Sequence, residues 1–344
     1  MPDYKRLLHR KQIPEYFWEP GIIGGYRPPG ISIKLSLQSV FSINNETFNV
    51  WTHLIALVFN LWYIQHVLAI ADIYSLPYEY KAPLLCFMVT SCIYPLGSAF
   101  AHTFNSISEF SQHCGFMVDY FGISTYAFGT ALANLAYAFP PEWRNTTCER
   151  LFITVNFVSA CLAVCFSCRS RFRNFDICAK LWRFVGFFLP YLTSMTVLMY
   201  RVVSTSYLED DAPNHYYNHF LCAFGICVFY LGHIPESFFP GTFDIYLHSH
   251  QIFHILVSLG TYQKLVGLQR DIATQYSMVL IPGCTQLMIL LILVNACITA
   301  YYIYHKYHSI YTAANKCSNN GSSCGNTNQE QDVNHNLKNH NHDD

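Results

Sequence analysis

The feature that most limits what this chain can become is a succession of eight nearly uncharged apolar stretches. Each runs for about 17 to 25 residues, the length a helix needs to cross roughly 30 Å of hydrocarbon at about 1.5 Å per residue. They fall at approximately 50–70, 83–104, 115–139, 151–167, 184–200, 217–234, 247–268 and 278–304, the last interrupted near its start by Pro282 and Gly283. Inside lipid every backbone N–H and C=O must be satisfied within the protein, so such segments fold as helices. The expected fold class is therefore all-α: a polytopic transmembrane helix bundle with a seven-span core and an eighth span. Composition agrees, because only 12% of residues are charged, against roughly a quarter in soluble domains. The net charge of -1 provides no basic field of the kind nucleic acid requires. Most of the fourteen cysteines lie in the apolar stretches and read there as small apolar residues rather than as a disulfide framework.

Orientation follows from the flanking basic residues. With the N-terminus cytoplasmic, fourteen Lys and Arg fall on the inner side, among them Arg27, Arg171 and Arg183. The outer side then holds six: Lys81, Arg144, Arg150, Arg201, Lys264 and Arg270. The first 40 residues contain no apolar h-region, so the first span is expected to act as the insertion signal. Residues 1–47 form a cytoplasmic arm, 48–268 the seven-span core, 277–304 the eighth helix and 305–344 a polar tail expected to be disordered. The arm mixes basic residues with Phe17, Trp18, Ile22 and Ile23, which suits either a segment lying along the inner membrane interface or a packed cap. The triplet Asn145-Thr146-Thr147 falls in an outer loop, where Asn145 is a glycosylation candidate, whereas Asn45 falls inside. Cys168, Cys317 and Cys324 are candidates for acylation, and His335, His340 and His342 of the tail read as solvated coil.

An ionisable group in a span costs at least ~2.5 kcal/mol at the bilayer centre, so each one asks for a partner. Asp119, early in the third span, is the only carboxylate within the stretches as drawn. His102 ends the second span, and His250 and His254 occupy the first two turns of the seventh, four residues apart and so on one helix face. The orientation places all four at one depth, in the cytoplasmic third of the membrane. Three neutral imidazoles leave one position of a tetrahedral Zn²⁺ open, the arrangement of a catalytic rather than a closed structural site. Asp119 is then placed to hydrogen-bond a ligand or the bound water, and Ser98, four residues before His102, reaches the same cavity. Each residue alone also has a plainer role: a hydrogen bond between helices for a lone His, a neutral paired acid for Asp119, helix packing for Ser98. Their common depth favours the joint reading. His66, His215 and His219 fall at the outer ends of their spans and are expected to be structural.

These motifs resemble a known family. Phe17-Trp18-Glu19-Pro20 through Gly25-Tyr26-Arg27, followed by Asn45 to Leu54, is similar to the entry segment of the progestin and adipoQ receptors. Ser98 to Thr103 and Asp119-Tyr120 resemble its second and third spans, and Pro235-Glu236 through His254 its seventh. The eighth span and the residues around Tyr94-Pro95 are most similar to the membrane progestin receptor branch, gamma-type members above all. The resemblance implies a cytoplasmic N-terminus, intramembrane zinc on His102, His250 and His254, and rapid steroid signalling. It also places the chain beside alkaline ceramidases, whose Ser, Asp and three-His pattern is met by Ser98, Asp119 and the same histidines. Within the Asn45 to Leu54 block the residues themselves suggest structural work, with Asn45 or Thr47 capping the first span and Trp51 anchoring at the interface.

Two functions follow. One is a plasma-membrane progestin receptor that binds steroid in an apolar cavity and signals to cytoplasmic partners, a G protein among those the resemblance implies. The other is a zinc hydrolase that cuts an amide in a sphingolipid such as ceramide, with Asp119 as base or orienting group. A transporter is disfavoured by the lack of internal repeats.

Overall fold

The computed structural model describes residues 6–69, 73, 75–172, 177–204, 212–274 and 279–319. Among them are nine α-helices: α1 Ile33–Ser39, α2 Thr47–Leu68, α3 Tyr78–Phe104, α4 Glu109–Ala133, α5 Thr147–Ser170, α6 Ile177–Ser204, α7 Ala212–Gly232, α8 Ser249–Ala273 and α9 Cys284–Asn319. Each of the eight apolar stretches corresponds to one long helix, although α9 begins only at Cys284 and the third stretch runs past α4 into a π-helical turn, Asn134–Ala138, and the chain is an all-α polytopic membrane bundle. Helices α3, α5, α6 and α9 are both long and apolar enough to cross a membrane. The others of comparable length owe their greater polarity to side chains turned inward, such as Asn49, His53 and Asn60 of α2 or Gln251, His254 and Lys264 of α8. Apolar side chains cover much of the outer surface, as with Ile289, Leu290 and Leu293 of α9, which lipid tolerates and water does not.

Several boundaries and placements differ from expectation. Helix α9 continues to Asn319, beyond the limit drawn at residue 304. Its added turns pack back on the bundle, where Lys306 lies 3.3 Å from Glu109 and Tyr307 meets Phe110. The rest of the tail, with its histidines and Cys324, lies outside the described residues, as does the Cys317 side chain. Arg201 and Lys264 are not outer flanks but lie within α6 and α8, both wholly buried. Lys264 donates to Asn134 at 2.6 Å, and Arg201 is bonded to Asp271, which also accepts from Tyr216. Asp271 lies just past the limit drawn at Leu268 yet is fully buried in α8, so Asp119 is not alone as a carboxylate inside the bundle. Asn145 is exposed in the turn before α5, whereas Asn45 is buried with its N–H bonded to Gly25 O. Cys168 is fully buried against Met117, Tyr120 and Val164, which closes it to acylation.

Packing of α3 sets the site. Along α4, Gly122 brings its backbone so close to α3 that an added Cβ would lie 3.0 Å from Tyr94 Cα, and at Gly129 it would lie 3.3 Å from Phe87 Cα. Helices this close hold their side chains in register without lipid between them. Pro95, inside α3, has no N–H to give the Ser91 carbonyl one turn earlier. Asn60 of α2 fills that gap with its side-chain amide, at 2.8 Å. At the other end of α3, buried Arg27 donates to the carbonyls of His102 (2.6 Å) and Thr103 (2.9 Å), which no further helical turn could satisfy.

The arm is a packed cap. Ile13, Phe17, Ile22 and Tyr26 make their own small core, and Leu8 pairs with Tyr26. Asp244, between α7 and α8, accepts from the N–H groups of Ile23 (3.0 Å) and Gly24 (2.6 Å) and ties the arm down.

A three-histidine centre between two cavities

His102 comes from the last turn of α3, and His250 and His254 come from the first two turns of α8. Glu236 orders the start of α8 by accepting from the Ser249 N–H at 2.7 Å and from its hydroxyl, a carboxylate placed where the unpaired N–H groups of a helix begin. Each of the three histidines offers a ring nitrogen within 4.8 Å of the others. His102 Nε2 and His250 Nε2 are 3.1 Å apart. Nitrogens bound at about 2.0–2.1 Å in a tetrahedral site stand roughly 3.3 Å apart, so this pair fits one shared cation.

The tautomers agree. His102 Nδ1 lies 2.7 Å from Glu46 Oε2, where it donates its proton and leaves Nε2 with its lone pair. The Thr52 hydroxyl donates to Phe48 O at 2.7 Å, so its oxygen accepts from His254 Nδ1 at 3.1 Å. That again leaves Nε2 unprotonated. The donor set therefore suits a metal ion that takes neutral imidazoles.

Glu46 and His53 belong to a block whose residues read as structural in the sequence, and Thr52 was not singled out there. Neither Asn45 nor Thr47 caps α2: Glu46 occupies the cap position without a capping bond, while the Asn44 side chain accepts from the Glu46 N–H and Thr47 Oγ1 accepts from Asn44. The Glu46 carboxylate instead takes His102 and Asn49 (both 2.7 Å) and Asn105 (2.8 Å). Asn105 in turn accepts from Arg27 at 2.6 Å, which links the arm to the centre. The His53 ring lies against that of His254, tilted at 55° with centroids 3.8 Å apart. A signal for these residues was present: Glu46, His53 and Asn60 recur every seven residues on the buried face of α2, a polar stripe where an apolar one would be expected. Trp51 donates to Val40 O at 2.9 Å and is half-buried.

Two cavities meet at the histidines. One, of about 200 Å³, is mainly apolar and runs between α3, α4, α6, α7 and α8; His53, Tyr94, Ser98, Asp119, His250 and His254 line its end nearest the arm. His219, whose Nδ1 donates to Gly260 O at 2.9 Å, lines it farther away. The other cavity, of about 400 Å³, is the more polar of the two and lies under the arm, with Glu19, Glu46, His102, Arg171, Arg183 and Glu236 on its walls. Burial pushes the Glu19 carboxyl up to about 7, with the nearby Glu46 adding to the effect. Asp119, Ile123, Phe187, Tyr230, His250 and Phe253 line both cavities. Asp119 is buried, and its Oδ1 has no hydrogen-bond partner among the described residues. Ser98 is buried on α3 and faces the apolar cavity only. His66 is exposed, and His215 bonds Gln263 at 2.8 Å, both apart from the centre.

Comparison with known proteins matches residues 41–265 to the family described as haemolysin-III related. That stretch contains all three histidines, Asp119, Ser98 and Glu46. The chain is 32% identical over 296 residues to membrane progestin receptor gamma-B of Danio rerio, covering 80% of this chain and 85% of the relative. It is 34% identical over 271 residues to membrane progestin receptor gamma of Homo sapiens, covering 77% and 81%. To membrane progestin receptor delta of Mus musculus it is 34% identical over 278 residues, covering 78% and 80%.

Proposed function

The chain belongs to the haemolysin-III-related family, the progestin and adipoQ receptors, and from that premise we propose that this integral membrane protein is a plasma-membrane receptor for a progestin-type steroid. The observation that carries the reading is the apolar cavity of about 200 Å³ that ends on His250 and His254. An apolar, rigid ligand gains from leaving both water and lipid for a preformed site with a few polar groups at one end, here Ser98, Tyr94 and Thr261. In this proposal His102, His250 and His254 hold Zn²⁺ and tie α3 to α8, with Glu46 and Thr52 fixing the two rings they bond. The arm faces the cytoplasm, where a partner such as a G protein meets the end of the bundle that Arg27, Asn105 and Glu46 connect to the centre.

The test is saturable binding of radiolabelled progesterone to the purified protein, with metal content measured on the same sample. Ala127 lines the cavity away from the histidines, so Ala127→Phe is expected to abolish steroid binding and leave the metal in place. Absence of saturable binding to the wild type would sink the receptor reading.

A second reading is favoured by the oxygen of buried Asp119 that has no hydrogen-bond partner among the described residues, at the junction of the cavities. There a lipid amide can approach from the apolar side and water from the polar side. A bound Zn²⁺ supplies Lewis acidity and lowers the pKa of a water molecule. Asp119 Oδ1 is placed to accept a proton from water and pass it on, and Ser98 to hold the lipid's polar group. Turnover of a ceramide substrate that disappears in both Asp119→Asn and His250→Ala is expected if the chain is such a hydrolase. Steroid binding with intact metal and no turnover would reject it.

A further inference from the structure

The polar cavity holds two guanidiniums that neither reading uses. Arg171 follows the last turn of α5, and Arg183 lies in the first two turns of α6. The Arg171 guanidinium lies over the Phe116 ring, with Cζ 4.5 Å from its centroid. Its Nε and Nη2 are buried with no hydrogen-bond partner among the described residues, and Arg183 Nε is in the same condition. In arginine Nε and Nη2 form one edge of the fork, the edge that grips two oxygens of one anion side-on. Buried donors left unmet cost about 1–3 kcal/mol each, and more when charged, so an edge held open in this way is built to receive an acceptor.

The carboxylates in the same cavity do not fill that role. Glu46 is taken up by His102, Asn49 and Asn105, and Glu236 by Ser249. Neither Glu19 nor Asp119 comes within ion-pairing distance of either arginine among the described residues. Lys180 is bound to Leu231 O at 2.8 Å, at the end of α7. The two arginines thus face a cavity of about 400 Å³ that shares a wall with the apolar one.

We propose that the polar cavity is a phosphate-binding site, in which Arg171 and Arg183 clamp a phosphomonoester, as the headgroup of a single-chain lipid whose tail lies in the apolar cavity or as a free phosphate. The dianion matches two guanidiniums, and the contiguous apolar space matches a chain. This site lies beside the three histidines and does not require a metal on them.

The probes are radiolabelled lysophosphatidic acid, the monoacylglycerol of the same chain length and inorganic phosphate. They are applied to the purified full-length protein in the presence of a chelator, so that binding to a metal is not read. Lysophosphatidic acid is expected to bind saturably and at least tenfold more tightly than monoacylglycerol. Arg171→Gln and Arg183→Gln are each expected to weaken it tenfold or more without changing monoacylglycerol binding, and Arg171→Lys, which keeps the charge and loses the fork, to fall between. Inorganic phosphate that competes only at far higher concentration assigns the site to a lipid headgroup; equal potency assigns it to free phosphate. In the wild type, either ligand should slow modification of Arg171 by phenylglyoxal, a readout that does not depend on a variant folding. Equal binding of the two lipids, unchanged affinity in folded glutamine variants, or no protection of Arg171 would each overturn the proposal.

Discussion

Replacing Glu46 by Gln tests whether the centre is built to hold a metal. The change keeps the shape of the side chain and removes its charge. In the native arrangement the carboxylate is acceptor for three donors, from His102 and Asn49 at 2.7 Å and from Asn105 at 2.8 Å, and both it and His102 are buried. A glutamine has one acceptor oxygen and an NH₂ that would point at one of those donors, so at least one bond is lost. An unmet buried donor costs about 1–3 kcal/mol. The neutral amide also makes His102 a weaker base, and loss of such a supporting partner lowers metal affinity by about 10–100-fold. That range corresponds to roughly 1.4–2.8 kcal/mol at about 1.4 kcal/mol per tenfold. Zinc affinity is measured by competition with a chromophoric chelator, alongside thermal unfolding with and without metal. The expected result is a 10–100-fold weaker site and a smaller stabilisation by zinc. As a control, Asn105→Ala removes a donor from the other carboxylate oxygen without touching the histidine, and should weaken the metal by less. Wild-type affinity in a folded Glu46→Gln protein would refute the role given to this carboxylate.

Other outcomes follow from the same geometry. His250→Ala should remove stoichiometric zinc outright, as shown by elemental analysis, because only two imidazoles remain. Gly122→Ala places a methyl group 3.0 Å from the Tyr94 backbone, and a loss of about 1–3 kcal/mol is expected from forcing α3 and α4 apart, measured as a lowered unfolding midpoint in detergent. Asn60→Leu leaves the Ser91 carbonyl without its donor beside Pro95, with an expected cost of about 1–3 kcal/mol; an unchanged midpoint would show that the helix closes the gap itself. Asp244→Ala removes two hydrogen bonds to the arm. Faster amide exchange confined to residues 8–27 should result, with the helices unaffected.

That the chain is a helical membrane bundle was legible from its residues alone, because length and charge scarcity are local properties and lipid leaves the backbone no alternative. The sequence also picked out His102, Asp119, His250 and His254, since an ionisable group in an apolar run is conspicuous without any knowledge of its neighbours. The same rule misjudged Arg201, Lys264 and Asp271. They sit near the ends of apolar stretches, where a charge reads as a flank, yet the helices carry them inward to partners on other elements. Glu46 was missed for a related reason: at a helix start a carboxylate has a local explanation, and only the approach of α3 to α2 shows that it bonds His102. The arm, equally suited by composition to a membrane surface, became a packed cap through Asp244, some 220 residues away in the chain. The free edge of Arg171 could not be read at all, because a basic residue after a span has an ordinary role in orientation. Whether its donors are met depends on what every packed neighbour offers, and that is decided by the tertiary structure.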